Sequence, residues 1–306
     1  MDIQVLMSVY NGEKYLLDQL ISLKNQKEVM LKILIRDDGS TDRSLAKMFE
    51  FARKTDIEVS IFSGPNIGVI ASFFELLKTS DNNVQYYAFC DQDDVWHSDK
   101  LYRAILLMKH IPAHIPAMYC SRTELVDDNY SHLAYWPQLP KKGPSFNNAL
   151  IENIAVGCTI VINHTARDLI LRELPDTSRI IMHDWWIYLC VSAFGEVVYD
   201  PEPHILYRQH NSNLIGGARG TFDKWSKKLR SFIRNYNKYL LRKQAEEFYK
   251  LYGNDLSDEK RKILNSFLNN NQNFYKRLMY SCTTKLYRQN SIEDLLFRIM
   301  YLFNRI

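Results

Sequence analysis

The first 110 residues alternate short apolar runs with amphipathic stretches, and this alternation constrains the fold more than any other feature of the chain. Residues 3–9 are apolar and β-prone, and residues 13–26 follow with Tyr15, Leu16, Leu20 and Leu23 at helical spacing. A second strand over 32–36 leads into DDGSTD and a helix over 43–54. Residues 58–62 read as a third strand, GPNIG as a turn and 69–78 as a third helix, and the strand over 86–89 ends on CDQDDVW. This β-α-β-α rhythm predicts an α/β sandwich around a mostly parallel central sheet. Ligands of such sheets bind beyond the carboxyl ends of the strands. SVYNG, DDGSTD and CDQDD all fall at those ends, so they are expected to share one site.

The stretch from about 115 to 215 is mixed. Short strands are predicted over 117–120, 159–162, 197–199 and 205–207, and helices over 164–173 and 183–194. From Phe222 onward the pattern becomes helical, basic and rich in aromatic residues, and the glycine-rich IGGARG at 215–220 marks the boundary. The net charge of +4 is too mild to point to nucleic acid. The strand-like start argues against a cleaved signal peptide. No run reaches the roughly 18–20 apolar residues a bilayer crossing needs. The five cysteines are scattered, with no CxxC pair, which argues against a disulfide framework and a thiolate zinc site and for a reducing cytoplasm.

CDQDDVW places Asp91, Asp93 and Asp94 within four residues. Carboxylates this close raise one another's pKa unless a cation sits among them. Helix capping accounts for part of the acidic pattern: Asp94, Ser98 or Asp99 can cap a helix over 100–109, and Thr41 and Asp42 one that begins near 43. Capping does not account for Asp91 and Asp93 together. Two carboxylates at i and i+2 in a turn can share a divalent cation, and all-oxygen ligands select Mg²⁺ or Mn²⁺. Such a cation would neutralise charge on a departing diphosphate. Asp37 and Asp38, at a strand end, can accept from a nucleobase N–H or from ribose hydroxyls. In HDWW, Asp184 stands beside Trp185 and Trp186, whose faces can pack on sugar rings; the alternative is a helix start with both tryptophans in the core.

SVYNGEKYL, IRDDGSTD, PNIG and CDQDDVWHSDKL, in this order and spacing, resemble the nucleotide-sugar-binding half of family 2 glycosyltransferases of the GT-A fold. The likeness extends through GCTIVIN, MHDWW and YRQHNSN over about two thirds of the chain, and the combination of IRDDGS, CDQDDVW, HDWW and YRQH is similar to bacterial polysaccharide rhamnosyltransferases. The resemblance implies a GT-A domain over 1–220, with a nucleotide-sugar-binding half over 1–110 and an acceptor-binding half over 111–220, followed by a helical extension over 221–306. It implies an inverting, Mg²⁺- or Mn²⁺-dependent transfer of a sugar from a nucleoside diphosphate donor, dTDP-rhamnose foremost and a UDP-hexose or UDP-N-acetylhexosamine next, to a saccharide hydroxyl during surface polysaccharide assembly. Position by position, Ser8 and Tyr10 match the residues flanking the nucleobase, Asp38 the acidic residue that reads it, and Asn66 and Gly68 the loop beside the nucleoside. Asp91 and Asp93 match the metal and ribose contacts, Asp93 being the direct ligand, and His210 matches a late basic or metal-contacting position near the diphosphate. Asp184 matches the general base, with Trp185 and Trp186 on the acceptor side. Chemistry agrees, since inverting transfer needs a carboxylate on the acceptor side and charge neutralisation on the leaving-group side.

Two other classes remain open at this point. A nucleotidyltransferase would use a similar acidic α/β domain but with a basic, glycine-rich phosphate loop, and a saccharide-binding module would explain the tryptophans without the acidic motifs. In the tail, Phe222, Trp225, Leu229, Phe232, Ile233, Tyr236 and Leu240 recur at helical spacing with lysines and arginines between them. Such a helix either lies on an anionic membrane, where a lipid-linked acceptor would be found, or packs on its own domain. Ser291 and Asp294 stand at capping-box spacing before a strongly apolar final helix that can dock, dimerise or touch lipid. The resulting expectation is a cytoplasmic enzyme, peripheral on the inner face of the membrane.

Overall fold

The computed structural model describes residues 1–209, 239–270 and 273–306, which fall into two compact units. The first comprises Met1–Leu139, Ala155–Leu174 and residues 194–209. Its strands are β1 (Asp2–Val9), β2 (Met30–Asp37), β3 (Glu58–Ser63), β4 (Tyr86–Cys90), β5 (Val95–Trp96), β6 (Ala117–Ser121), β7 (Thr123–Val126), β8 (His132–Trp136), β9 (Val161–Asn163), β10 (Glu196–Asp200) and β11 (Ile205–Arg208). Its helices are α1 (Leu16–Lys24), α2 (Ser44–Lys54), α3 (Gly68–Thr79), α4 (Lys100–Met108) and α6 (His164–Arg172), the short α5 (Phe146–Ala149) belonging to the second unit.

A seven-stranded sheet runs β10-β6-β9-β4-β1-β2-β3. Strands β3, β2, β1 and β4 are mutually parallel, β9 is antiparallel to both neighbours, and β6 and β10 pair in parallel. The expected α/β sandwich with a mostly parallel sheet is what forms. In the middle, Ile3, Val5, Leu6, Met7 and Val9 of β1 are all fully buried, because helices cover both faces of a parallel sheet and both sides of each strand must be apolar. Each such side chain contributes about 1.5–3 kcal/mol by leaving water. A second, four-stranded sheet runs β5-β11-β7-β8. It draws β5, the two residues directly after the acidic cluster, into antiparallel pairing with β11. Neither β7 nor β8 was expected from the sequence, since TELV and HLAYW are short and lie among polar residues.

The second unit gathers Pro140–Ile154, Pro175–Ala193 and the described residues after 238. It holds α5, most of α7 (His183–Phe194) and the helices α8 (Leu240–Tyr252), α9 (Asp258–Asn269), α10 (Phe274–Thr283) and α11 (Ser291–Leu302). The partition departs from a single boundary at 220. The reason is α7, whose residues 186–193 are all buried: Trp186 packs against the rings of Phe248 and Tyr252 on α8, at 5.8 and 6.4 Å between centroids. Asp176 N and Ile181 N also donate to Glu247 and Gln244 on α8. The cap of α11 differs from the capping-box expectation: Asn290 accepts from Ile292 N and Glu293 N, while Asp294 accepts from Arg288 N and pairs with Arg298. Among the described residues no helix is long and apolar enough to cross a membrane. The basic stretch from Phe222 to Lys238 lies outside the described residues.

Candidate active site

The carboxyl ends of β1, β2 and β4 are laced together by side chains. Asp38 is 2 % exposed, and its carboxylate accepts from Ile67 N at 2.9 Å and Gly68 N at 3.0 Å while pairing with Arg36. It thereby caps α3 from another element, a favourable place for a negative charge. Arg36 in turn donates to Pro65 O and to Ser72 Oγ, and Ser72 shares a 2.6 Å hydrogen bond with Ser8 Oγ. Ser8, Asp38 and Gly68 therefore belong to one network, with Asn66 on the exposed loop that it shapes. The turn relies on Gly39, at φ +81°, where a Cβ would stand 3.0 Å from Asn66 N.

Asn11, Gly12 and Glu13 are tied to the DDGSTD loop by Thr41 N to Asn11 Oδ1, Gly12 N to Ser44 Oγ and Glu13 N to Asp42 Oδ2. Asp42 also accepts from Ser44 N, the first residue of α2, from one position before Arg43, which holds the cap position without a side-chain bond. Tyr10 is exposed, and its backbone is gripped by Gln92: Tyr10 N donates to Oε1 at 2.9 Å and Nε2 donates to Tyr10 O at 3.1 Å. The residue between the two aspartates of the motif thus fixes the loop beside Tyr10. No sequence signal singles out that task for a glutamine.

The acidic cluster divides its labour differently from the sequence expectation. Asp94 is buried rather than placed to cap α4; Asp99 holds the cap position, and its carboxylate turns to His204. Burial, then the charges of Asp93 and Asp91, push the Asp94 pKa well above the usual carboxylate range. Its Oδ1 accepts a long bond from Arg208 N and its carboxyl group faces the Cys158 thiol, while its Oδ2 is buried with no N–H or O–H donor among the described residues. One carboxylate oxygen each from Asp91 and Asp94 converges with Cys158 Sγ within 4.8 Å. An orphaned carboxylate oxygen beside a second carboxylate fits a hard divalent cation, and Asp91 and Asp94 would hold it. Cys158 fits less well as a ligand, because burial first, then Asp94 and Asp91, keep its thiol protonated. Asp93 is half-buried on the same loop, and its carbonyl accepts from Arg208 Nε.

Beneath the cluster, Lys100 is fully buried with its Nζ 3.2 Å from the Trp96 ring centroid and, among the described residues, without a hydrogen-bond acceptor. Burial holds its pKa down to about 7, against the charges of the neighbouring thiols and of Asp94 and Asp91. Arg208 is a second cation that sequence reasoning did not assign. It pairs with Asp18 at 2.9 Å, donates to Tyr130 OH at 2.7 Å and lies over the rings of Tyr15 and Tyr130. Its signal was the YRQH motif, in which His210, the residue assigned a role, lies outside the described residues.

In the second unit, Asp184 lies in the first turn of α7, buried, and accepts from Trp185 N at 2.6 Å. Trp186 does not serve the acceptor side: it is 0 % exposed, so neither face is open to a sugar. Trp185 is half-buried and donates from Nε1 to Ala149 O. Burial lowers the pKa of His183 to about 3, so it is neutral at physiological pH.

A parallel sheet with linked acidic loops at its carboxyl edge places a candidate site where α/β enzymes of this architecture bind their ligands. The chain belongs to glycosyltransferase family 2: the family described as Glycosyl transferase family 2 matches residues 4–170. It is 32 % identical over 243 residues to the dTDP-rhamnosyl transferase RfbG of Shigella flexneri, covering 75 % of this chain and 79 % of the relative. The fold is GT-A-like. It is similar to S. aureus TarS 1–349, solved in complex with UDP-GlcNAc, with a TM-score of 0.61 at 17 % identity over 99 % of this chain and 82 % of that one. It is also similar to the mannosyltransferase PcManGT from Pyrobaculum calidifontis, solved with GDP-Man and Mn²⁺, with a TM-score of 0.53 at 12 % identity over 99 % of this chain and 85 % of that one. Family membership sets aside the nucleotidyltransferase and the non-catalytic module.

Proposed function

We propose that this glycosyltransferase transfers L-rhamnose from dTDP-rhamnose, with inversion, to a saccharide hydroxyl in bacterial surface polysaccharide assembly. The observation that carries the donor is the 32 % identity to a dTDP-rhamnosyl transferase across most of both chains. In this reading the Ser8–Ser72–Arg36–Asp38 network holds the Asn66–Gly68 loop against the nucleoside, and Asp38 acts by shaping that loop. Asp91, Asp93 and Asp94 form the diphosphate end, where Mg²⁺ or Mn²⁺ would supply charge neutralisation to the leaving nucleotide. Mn²⁺ beside a sugar nucleotide in the similar mannosyltransferase supports a cation here. Gln92 and Arg208 keep the acidic loop in register, and His210 is a further candidate for the diphosphate end. Asp184 enters through the resemblance as the base that takes the acceptor proton, with Trp185 on the acceptor side.

The acceptor in this proposal is lipid-linked, and contact with the membrane is peripheral. On α11, Ile292, Leu295 and Ile299 are exposed, with Phe303 just beyond, and this apolar row supports that contact. The test of the donor is a panel of dTDP-, UDP- and GDP-sugars with Mg²⁺ or Mn²⁺, read as release of nucleoside diphosphate. Release of dTDP from dTDP-rhamnose above all others is expected; turnover confined to UDP-hexoses or UDP-N-acetylhexosamines would reassign the donor.

A further inference from the structure

On the first unit, a few residues beyond the acidic loop, two histidines and a carboxylate converge. The antiparallel ladder of β5 and β11 pairs Trp96 with Ile205, and His97 N donates to His204 O at 3.0 Å, so the next rung sets His97 opposite His204. Their rings stand 6.3 Å apart between centroids at 76°. Asp99, at the start of α4, brings Oδ1 to 3.1 Å from His204 Nδ1. One ligand atom from each of the three residues lies within 4.8 Å of the other two.

The other face of His204 supplies an independent observation. Its Nε2 is buried, makes no hydrogen bond among the described residues and lies 3.7 Å from Asp200 Oδ2. Asp200 is itself buried and already accepts from Arg103 Nε at 2.9 Å and Tyr119 OH at 3.2 Å. Both nitrogens of one imidazole therefore face carboxylates. A neutral ring carries a single N–H and can serve only one of them. If that proton points to Asp200, the lone pair of Nδ1 meets the lone pairs of Asp99, and either a second ring proton or a metal cation relieves the repulsion. A carboxylate orienting the far nitrogen of a metal-bound histidine is the usual outer shell of such a site.

We propose that His97, Asp99 and His204 form a binding site for a divalent transition metal, Zn²⁺ foremost, distinct from the oxygen site at Asp91 and Asp94. Two imidazoles and a carboxylate suit Zn²⁺, whereas Mg²⁺ and Ca²⁺ select oxygen ligands. Bond lengths of about 2.0–2.1 Å in a tetrahedron separate ligand atoms by about 3.3 Å, so the Asp99–His204 distance needs almost no adjustment and His97 closes the third side. Water takes the fourth position. The ion clamps β5 to β11, the strands that flank Asp94 and carry Arg208, and ties both to the first turn of α4. It does so independently of the donor or acceptor used.

The test titrates the metal-free full-length protein with Zn²⁺ by calorimetry and with Co²⁺ by visible absorption, against His97→Ala, His204→Ala and Asp91→Ala, the last removing a ligand of the oxygen site. The expected result is one Zn²⁺ site whose affinity falls at least 100-fold in either histidine variant and is retained in Asp91→Ala. Intense Co²⁺ d–d bands of a tetrahedral site should accompany it, with a Zn²⁺-dependent rise in melting temperature that His97→Ala lacks. His97 is half-buried at a ladder end, so its variant should fold, and its metal-free melting curve verifies that. Absence of Zn²⁺ binding at micromolar concentration, or equal affinity in both histidine variants, overturns the proposal. A wild-type imidazolium spanning Asp99 and Asp200, seen by NMR in the presence of Zn²⁺, overturns it as well.

Discussion

Lys100 offers the sharpest physical test of the region beneath the acidic loop. The amine is fully buried over Trp96, and its pKa is held down to about 7. An unfolded lysine keeps its proton to about pH 10.4, so between these values the unfolded state binds more protons and stability must rise with pH. The conformational penalty of the lysine is about 4 kcal/mol at pH 7 and about 1.4 kcal/mol at pH 9.5, a difference of about 3 kcal/mol. Asp94, whose own pKa is displaced upward, would blur the comparison, so the measurement belongs in an Asp94→Asn background, with and without Lys100→Met. Urea unfolding of both proteins at pH 7, 8.5 and 9.5 gives the difference directly. The methionine protein is expected to be the more stable, by a margin that shrinks by about 3 kcal/mol across the range. A margin constant with pH would show that the fold keeps the proton on Lys100, and the argument from burial would fail.

Further outcomes follow from the site. Asp93→Ala and Asp184→Asn should each leave a cooperatively folding protein whose sugar transfer falls by at least about 100-fold; near wild-type turnover would remove that residue from the mechanism. Chelation should abolish transfer and Mn²⁺ or Mg²⁺ restore it, whereas activity that survives exhaustive chelation would refute cation dependence. Asp38→Asn leaves the Arg36 cation buried without its carboxylate and should cost about 3–5 kcal/mol, measured by denaturation; a cost under about 1 kcal/mol would mean that the pair is not what holds the loop. Trp186→Ala should cost about 3–5 kcal/mol as a core truncation. Lost acceptor affinity at unchanged stability would instead return Trp186 to the acceptor side. Replacing Ile292, Leu295, Ile299 and Phe303 by serine should release the protein from anionic vesicles in sedimentation; undiminished binding would assign membrane contact elsewhere.

The parallel core was legible because each strand–helix pair announces itself locally: IQVLMSV is apolar on both faces, and DDGSTD and CDQDD interrupt the pattern where the chain turns. The identity of the loops as one site was legible for the same reason, since parallel strands deliver all their carboxyl ends to one edge. Long-range partners set what was not legible. Asp94 reads as a helix cap by spacing, but β5 pairing with β11 buries it against Arg208 N. Trp186 reads as a sugar platform beside Asp184, but Phe248 and Tyr252, more than sixty residues on, enclose it. Lys100, Gln92 and Arg208 carried no motif that distinguishes a buried or bridging side chain from a solvated one.

The segments of the two units interleave along the chain, and this limits how such enzymes can be recombined. A chimaera joined at the glycine-rich stretch near 220 would separate Trp186 from the α8 rings that bury it, leaving the helix that carries Asp184 without its core. Transplanting the core around α7 into a relative therefore requires moving residues 140–154, 175–193 and the described residues after 238 together. The same holds for natural shuffling: a single crossover between α7 and α8 keeps the core only where the incoming α8 carries rings that match Phe248 and Tyr252 against Trp186.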